Sequence, residues 1–168
     1  MKNNSTTDSK VAPSKSNNFW SFISKFTVSL GGVGYIKPAS ATWGSLFVGI
    51  ILYFTFPHLQ ICTKITIALI TFAIGTILAN YIEKTQKTHD PHFVIIDEAV
   101  GMMIVCLFLS QVWWHFIIAF ILFRIYDIAK LWPASFFDKR QGGFSIMIDD
   151  VIMAIPALFI MEVIRLLT

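Results

Sequence analysis

The chain has 168 residues, 55% of them hydrophobic and only 14% charged, with a mean hydropathy of +0.68. Average soluble domains carry roughly 25% charged residues, so a water-soluble globule is excluded and an integral membrane protein is expected. A net charge of +3 without a basic stripe gives no footing for a nucleic-acid partner, and two cysteines in apolar runs, Cys62 and Cys106, form no disulfide framework or thiolate metal site.

Residues 1–18 are polar and free of aromatics, and are expected to form a disordered tail ahead of one membrane-embedded domain, 19–168. The stretch FWSFISKFTVSL (19–30) mixes aromatics with Ser and Lys, as an interfacial helix does. A Gly/Pro-punctuated loop, GGVGYIKPASATWGS (31–45), comes next. Apolar runs follow at 46–56, 65–82, 99–123 and 151–167. The second approaches the roughly 20 residues that a span requires. The third is interrupted by Ser110, Gln111 and His115 beside Trp113 and Trp114, the pattern of two antiparallel helices turning at an interface. The expected fold class is all-α: a polytopic membrane protein of about four to five membrane-embedded helices, with no internal repeat.

If successive runs alternate in direction, every Lys and Arg except Lys64 and Arg165 falls on one face. That is the bias of a cytoplasmic face. Three charged clusters lie on the same side. HDPHFVIIDEAVG supplies Asp90, Asp97 and Glu98. FRIYDIAKLWP supplies Arg124, Asp127 and Lys130, whose three-residue spacing places them along one helix face. GGFSIMIDD supplies Gly142, Gly143, Asp149 and Asp150.

Oxygen-only ligands suit Mg²⁺, which binds through a few carboxylates and substrate phosphate. Arg124 and Lys130 suit phosphate, Arg as a fork and Lys as a point charge. Backbone amides at Gly142 and Gly143 can approach an anion closely. A hard cation would also make the adjacent aspartates tolerable beside hydrocarbon.

Plainer readings exist for each feature. Asp149 or Asp150 could cap the last helix. Asp97 and Glu98 could be a solvated first turn. Arg124, Asp127 and Lys130 could be an ion-pair ladder, and Thr42 an N-cap. Glu162 and Arg165, spaced i and i+3, read as a structural pair, and His89 with His92 is weak evidence for zinc. The functional alternative is a membrane transporter or proton relay that uses boundary carboxylates. What favours a cation- and phosphate-handling site is the conjunction of three clusters on one face.

In order along residues 31 to 154, GYIKPASATWGS, DPHFVIIDEAVG, FRIYDIAKLWP and GGFSIMIDDVIMA together resemble the bacterial phosphatidylglycerophosphatase A family. Two departures are visible. The family usually carries Ala-Pro-Gly-Thr where this chain has Ala39-Ser40-Ala41-Thr42, and Lys-Pro-x-Pro where it has Lys130-Leu131-Trp132-Pro133. The charged set is intact. The resemblance implies a Mg²⁺-dependent phosphatase converting the lipid phosphatidylglycerophosphate to phosphatidylglycerol and inorganic phosphate, at the cytosolic surface of a bacterial inner membrane. It implies Asp97, Asp127, Asp149 and Asp150 as catalytic residues. Metal ligands would be Asp97, Glu98, Asp149, Asp150 and Asp90, and phosphate binders Arg124, Lys130, Gly142, Gly143 and Thr42.

Overall fold

A computed structural model of the chain describes residues 15–86, 88, 91–129 and 140–168, with side chains from residue 19. All regular structure among them is helical: α1 (Lys15–Val28), α2 (Ser40–Thr55), α3 (Ile61–Gln86), α4 (Ile96–Val105), α5 (Trp113–Ala129) and α6 (Gly143–Leu167). Single 3₁₀ turns stand at Val33–Tyr35 and Phe56–His58. Away from water every backbone N–H and C=O must be paired within its own segment, which leaves apolar runs such as these little choice but helix.

Among the described residues three segments are long and apolar enough to cross a membrane: Ser40–His58, Ile61–Gln86 and Gly143–Leu167. The interrupted fourth stretch forms two helices, as its polar break suggests, but α4 has only 10 residues and reaches about 15 Å. It is too short to span, and α5, with 17 residues, is close to the length of a span. Helix α1 begins at Lys15, inside the stretch expected to be a disordered tail. Residues 1–14 lie outside the described part of the chain.

Cross-links fix the direction of each helix. Lys64 Nζ donates to the Leu107 carbonyl at 3.0 Å, and His115 Nε2 lies 3.1 Å from Thr168 Oγ1. The start of α3, the end of α4, the start of α5 and the end of α6 therefore share one end of the bundle. At the opposite end the Gly142 amide meets Glu83 at 2.7 Å, and the Ile95 amide donates to Val28 O at 2.9 Å. Arg165 accompanies Lys64 at the first end, while Lys25, Lys84, Arg124 and Arg140 stand at the second.

Helix α6 is the axis of the bundle, packed against α3, α4 and α5. Small residues set its distances. A Cβ on Gly143 would stand 2.2 Å from Thr76 O and 2.4 Å from Asn80 N, so α3 and α6 touch backbone to backbone there. A Cβ on Gly101 would stand 2.4 Å from the Phe123 ring, so that ring of α5 lies directly on the α4 backbone. Outward-facing Ile50, Phe54, Leu69, Ile77, Ile121 and Phe159 are exposed, the surface expected where lipid is the solvent. Helix α1 presents Phe19, Trp20, Phe22 and Phe26 outward and buries Ser24 and Val28. An aromatic outer face suits an interfacial position.

Candidate active site

The site is built where two helix starts meet against the middle of a third. A Cβ on Gly75, halfway along α3, would stand 2.7 Å from Met147 and 3.2 Å from Ile96. The missing side chain lets the first turn of α4 and the second turn of α6 approach α3 together. Asp97 and Glu98 follow Ile96 directly, and Asp149 and Asp150 follow Met147 by less than one turn. All four carboxylates are buried. One oxygen from each of Asp97, Glu98 and Asp150 lies within 4.8 Å of the other two.

Two more acids bear on this trio. The charges of Asp97, Asp127 and Asp149 all act on Asp150, and those of Asp150 and Asp127 act on Glu98. Asp127 is held from the other side by Arg124, whose Nη1 stands 2.6 Å from Asp127 Oδ2. The expected i, i+3 ion pair is therefore present. It is also continuous with the acid cluster through Asp127, so this pair and the site are one structure.

The remaining sequence candidates separate. Helix α6 starts at Gly143 with Gly142 as its N-cap, so Asp149 and Asp150 lie too far inside to be caps. Asp97 and Glu98 do occupy a first turn, but a buried one. Thr42 is the third residue of α2, whose N-cap is Ala39 with no side-chain cap, and no described contact brings Thr42 against the carboxylates. The Gly142 amide is committed to Glu83, while Gly143 is the contact point of α3 and α6. Asp90 and Lys130 lie outside the described residues, as does His89. Glu162 and Arg165 pair at the far end, with Arg165 Nε 2.8 Å from Glu162 Oε2.

Glu83 had drawn no attention in the sequence. Its signal was available: an acid in the last turns of a helix opposes the helix dipole and calls for a partner elsewhere. Asp149 and Asp150 stand about two turns, roughly 10 Å, inside α6, so the acids are recessed within the bundle and do not stand at its rim.

Burying several acids together is unfavourable unless a cation joins them. Glu98 Oε2 and Asp150 Oδ2 are buried and accept no hydrogen bond from any described residue. Oxygens around one Mg²⁺ are at most about 4.2 Å apart, twice the ~2.1 Å coordination distance. The separations here, within 4.8 Å, need only a small inward adjustment to match. An all-oxygen, buried donor set fits a hard divalent ion.

Fold and site together define an integral membrane protein with a buried, cation-compatible cluster of carboxylates toward one end of its helix bundle. The chain matches the family described as Phosphatidylglycerophosphatase A over residues 26–165, and belongs to that family. It is a phosphatase, as the sequence resemblance implied. Phosphatidylglycerophosphatase A of Haemophilus influenzae is 35% identical over 80% of this chain and 83% of its own length. A putative phosphatidylinositol-3-phosphatase of Bacteroides thetaiotaomicron is 34% identical over 80% of this chain and 88% of its own. Phosphatidylglycerophosphatase A of Escherichia coli is 34% identical over 53% of each chain. No solved structure matches. The transporter alternative has no support from these relatives.

Proposed function

We propose that the protein removes the terminal phosphate of phosphatidylglycerophosphate, leaving phosphatidylglycerol, with Mg²⁺ held by Asp97, Glu98 and Asp150. The observation that carries the reading is the meeting of these three buried carboxylates from two separate helices. Family membership supplies the substrate, and the Lys and Arg bias toward the site end supports a cytosol-facing chamber in a bacterial inner membrane.

When bound, Mg²⁺ would neutralise charge on the phosphoryl oxygens. Asp97, Glu98 and Asp150 hold it, and Asp149 keeps the chamber acidic beside them. Arg124 donates to a phosphoryl oxygen through the part of its fork that Asp127 leaves open. Asp127 stands beside the trio and accepts a proton from the water that attacks phosphorus. The bond from phosphorus to the glycerol oxygen breaks, and that oxygen takes up the proton. Recessed placement limits the water available to the reaction to what the chamber admits.

The test is phosphate release from phosphatidylglycerophosphate in detergent micelles, with EDTA and with Mg²⁺ added back. Activity that survives EDTA would remove the metal from this account. Phosphatidylinositol 3-phosphate serves as comparator, because the name of the Bacteroides relative points to that lipid. Faster turnover of the comparator would move the substrate assignment and leave the chemistry in place.

A further inference from the structure

We propose that the groove between α2 and α5 holds one acyl chain of the lipid substrate and so sets where its phosphate stands. This rests on the reading above that the substrate is a phosphorylated lipid.

The groove measures about 420 Å³ and runs between Leu46 and Phe54 of α2 on one wall and Trp113 and Ile121 of α5 on the other. Eight residues of helix on each side make it about 12 Å long. Tyr53 and Phe116 join the walls, their rings 5.3 Å apart and nearly perpendicular. Gly49 has no side chain to fill the space, and Ile50, Ile117 and Ile121 stand exposed along the edges. Because α2 is long and apolar enough to cross a membrane, those edges open sideways onto lipid. A preformed groove loses little freedom on binding.

Its place on α5 selects the occupant. Residues three and four apart share a helix face. The series Phe116, Phe120, Arg124 and Asp127 advances by four, four and three, so the apolar stripe of the groove becomes the ion pair beside the acid trio. On α2, Thr42 precedes Leu46 by four and shares the groove face. Ile121 stands three residues, about 4.5 Å of helix, from Arg124. The flexible polar head of a glycerophospholipid spans that gap. Hydrocarbon gains no transfer free energy by leaving lipid for such a groove, since both are apolar. What the groove supplies is orientation. A chain held along α5 fixes the register of the phosphate on Arg124, and misplacing a reacting group by about 1 Å can cost about 10²-fold in rate.

The experiment uses the full chain in detergent micelles. It compares wild type with Ile117→Trp and Ile50→Trp, which fill the groove from either wall, and with Ile77→Trp, which enlarges an exposed side chain on α3. Two constants are read: kcat/KM for dioleoyl phosphatidylglycerophosphate, and Ki for inorganic phosphate, which has no chain. Each groove variant should lower kcat/KM about tenfold through misplacement of the phosphate, while Ki stays within about twofold. Ile77→Trp should leave both constants as in wild type. Groove variants that keep the wild-type kcat/KM would overturn the proposal, since the groove would then hold bulk lipid or detergent. So would a fall in kcat/KM matched by a rise in Ki, or one equalled by Ile77→Trp. Phosphatidylinositol 3-phosphate with the same chains separates the two readings. If wild type prefers it, the headgroup assignment falls and the groove is judged by the same two constants on that lipid. Wild type that releases phosphate from neither lipid would overturn the substrate reading and the groove with it.

Discussion

The Gly142 amide donates a hydrogen bond to the Glu83 carboxylate, 2.7 Å away and 59 residues earlier in the chain. It ties the end of α3 to the N-cap of α6, the helix that carries Asp149 and Asp150. Gly142 adopts φ 116°, a region that L side chains rarely enter, so the amide is aimed at Glu83 by a backbone that only glycine adopts readily. Glu83→Ala should lower stability by about 1.5–3 kcal/mol, the range for a hydrogen bond to a charged group. Glu83→Gln keeps an acceptor and should lose less than half of that. Thermal melting in detergent reads both, and equal losses would mean that the charge matters and the acceptor does not.

Gly143 and Gly49 offer a paired test of helix approach. A Cβ at Gly143 meets backbone atoms of α3, which cannot step aside, whereas one at Gly49 meets only the terminal methyl of Met102 at 3.3 Å. Gly143→Ala should cost about 1–3 kcal/mol or more through overpacking. Gly49→Ala should fall within about 1 kcal/mol of wild type, since a flexible Met end yields and alanine favours helix. Comparable melting temperatures for the two variants would contradict the backbone contact of α3 and α6.

Asp150 separates activity from stability. Asp150→Asn should lower turnover by about 10²–10³, the scale of losing one group that stabilises transition-state charge. In EDTA the same variant should be at least as stable as wild type, because one of several clustered negative charges is gone. Mg²⁺ should raise the melting temperature of wild type, by about 2.7 kcal/mol of stability at a hundredfold excess over Kd. It should do so much less in Asp150→Asn. Equal stabilisation of both proteins by Mg²⁺ would place the ion somewhere else.

How far the sequence could be read depended on the range of the interaction. Apolar runs are local, so the helices appear close to where hydropathy puts them, and the polar break at Ser110 and Gln111 marks the turn between α4 and α5. The acidic trio was legible as residues because Asp-Glu and Asp-Asp pairs are rare next to hydrocarbon. Its depth was not, since recession follows from Gly75 admitting Ile96 and Met147 to the same point on α3. Glu83 went unread because its partner is a backbone amide far along the chain, and Gly143 because a glycine pair before acids suggests anion binding as readily as helix contact. The start of α1 was missed because Lys15, Ser16, Asn17 and Asn18 carry no apolar periodicity.

Lys64 tests whether the two ends of the bundle act independently. Its ammonium is buried, donates to Leu107 O at 3.0 Å just beyond the end of α4, and stands 5.6 Å from the Phe56 ring centroid. A cation there complements the negative end of the α4 dipole and pairs a carbonyl left over where the helix stops. Lys64→Met keeps the packing of the stem but leaves that carbonyl unpaired, which should cost about 1–3 kcal/mol in melting experiments. Because the carboxylates stand at the other end of α4, effects on kcat and KM should stay within about twofold, as for mutations at separated sites. A fall in kcat on the scale expected for Asp150→Asn would instead mean that α4 transmits the far-end contact to Asp97 and Glu98.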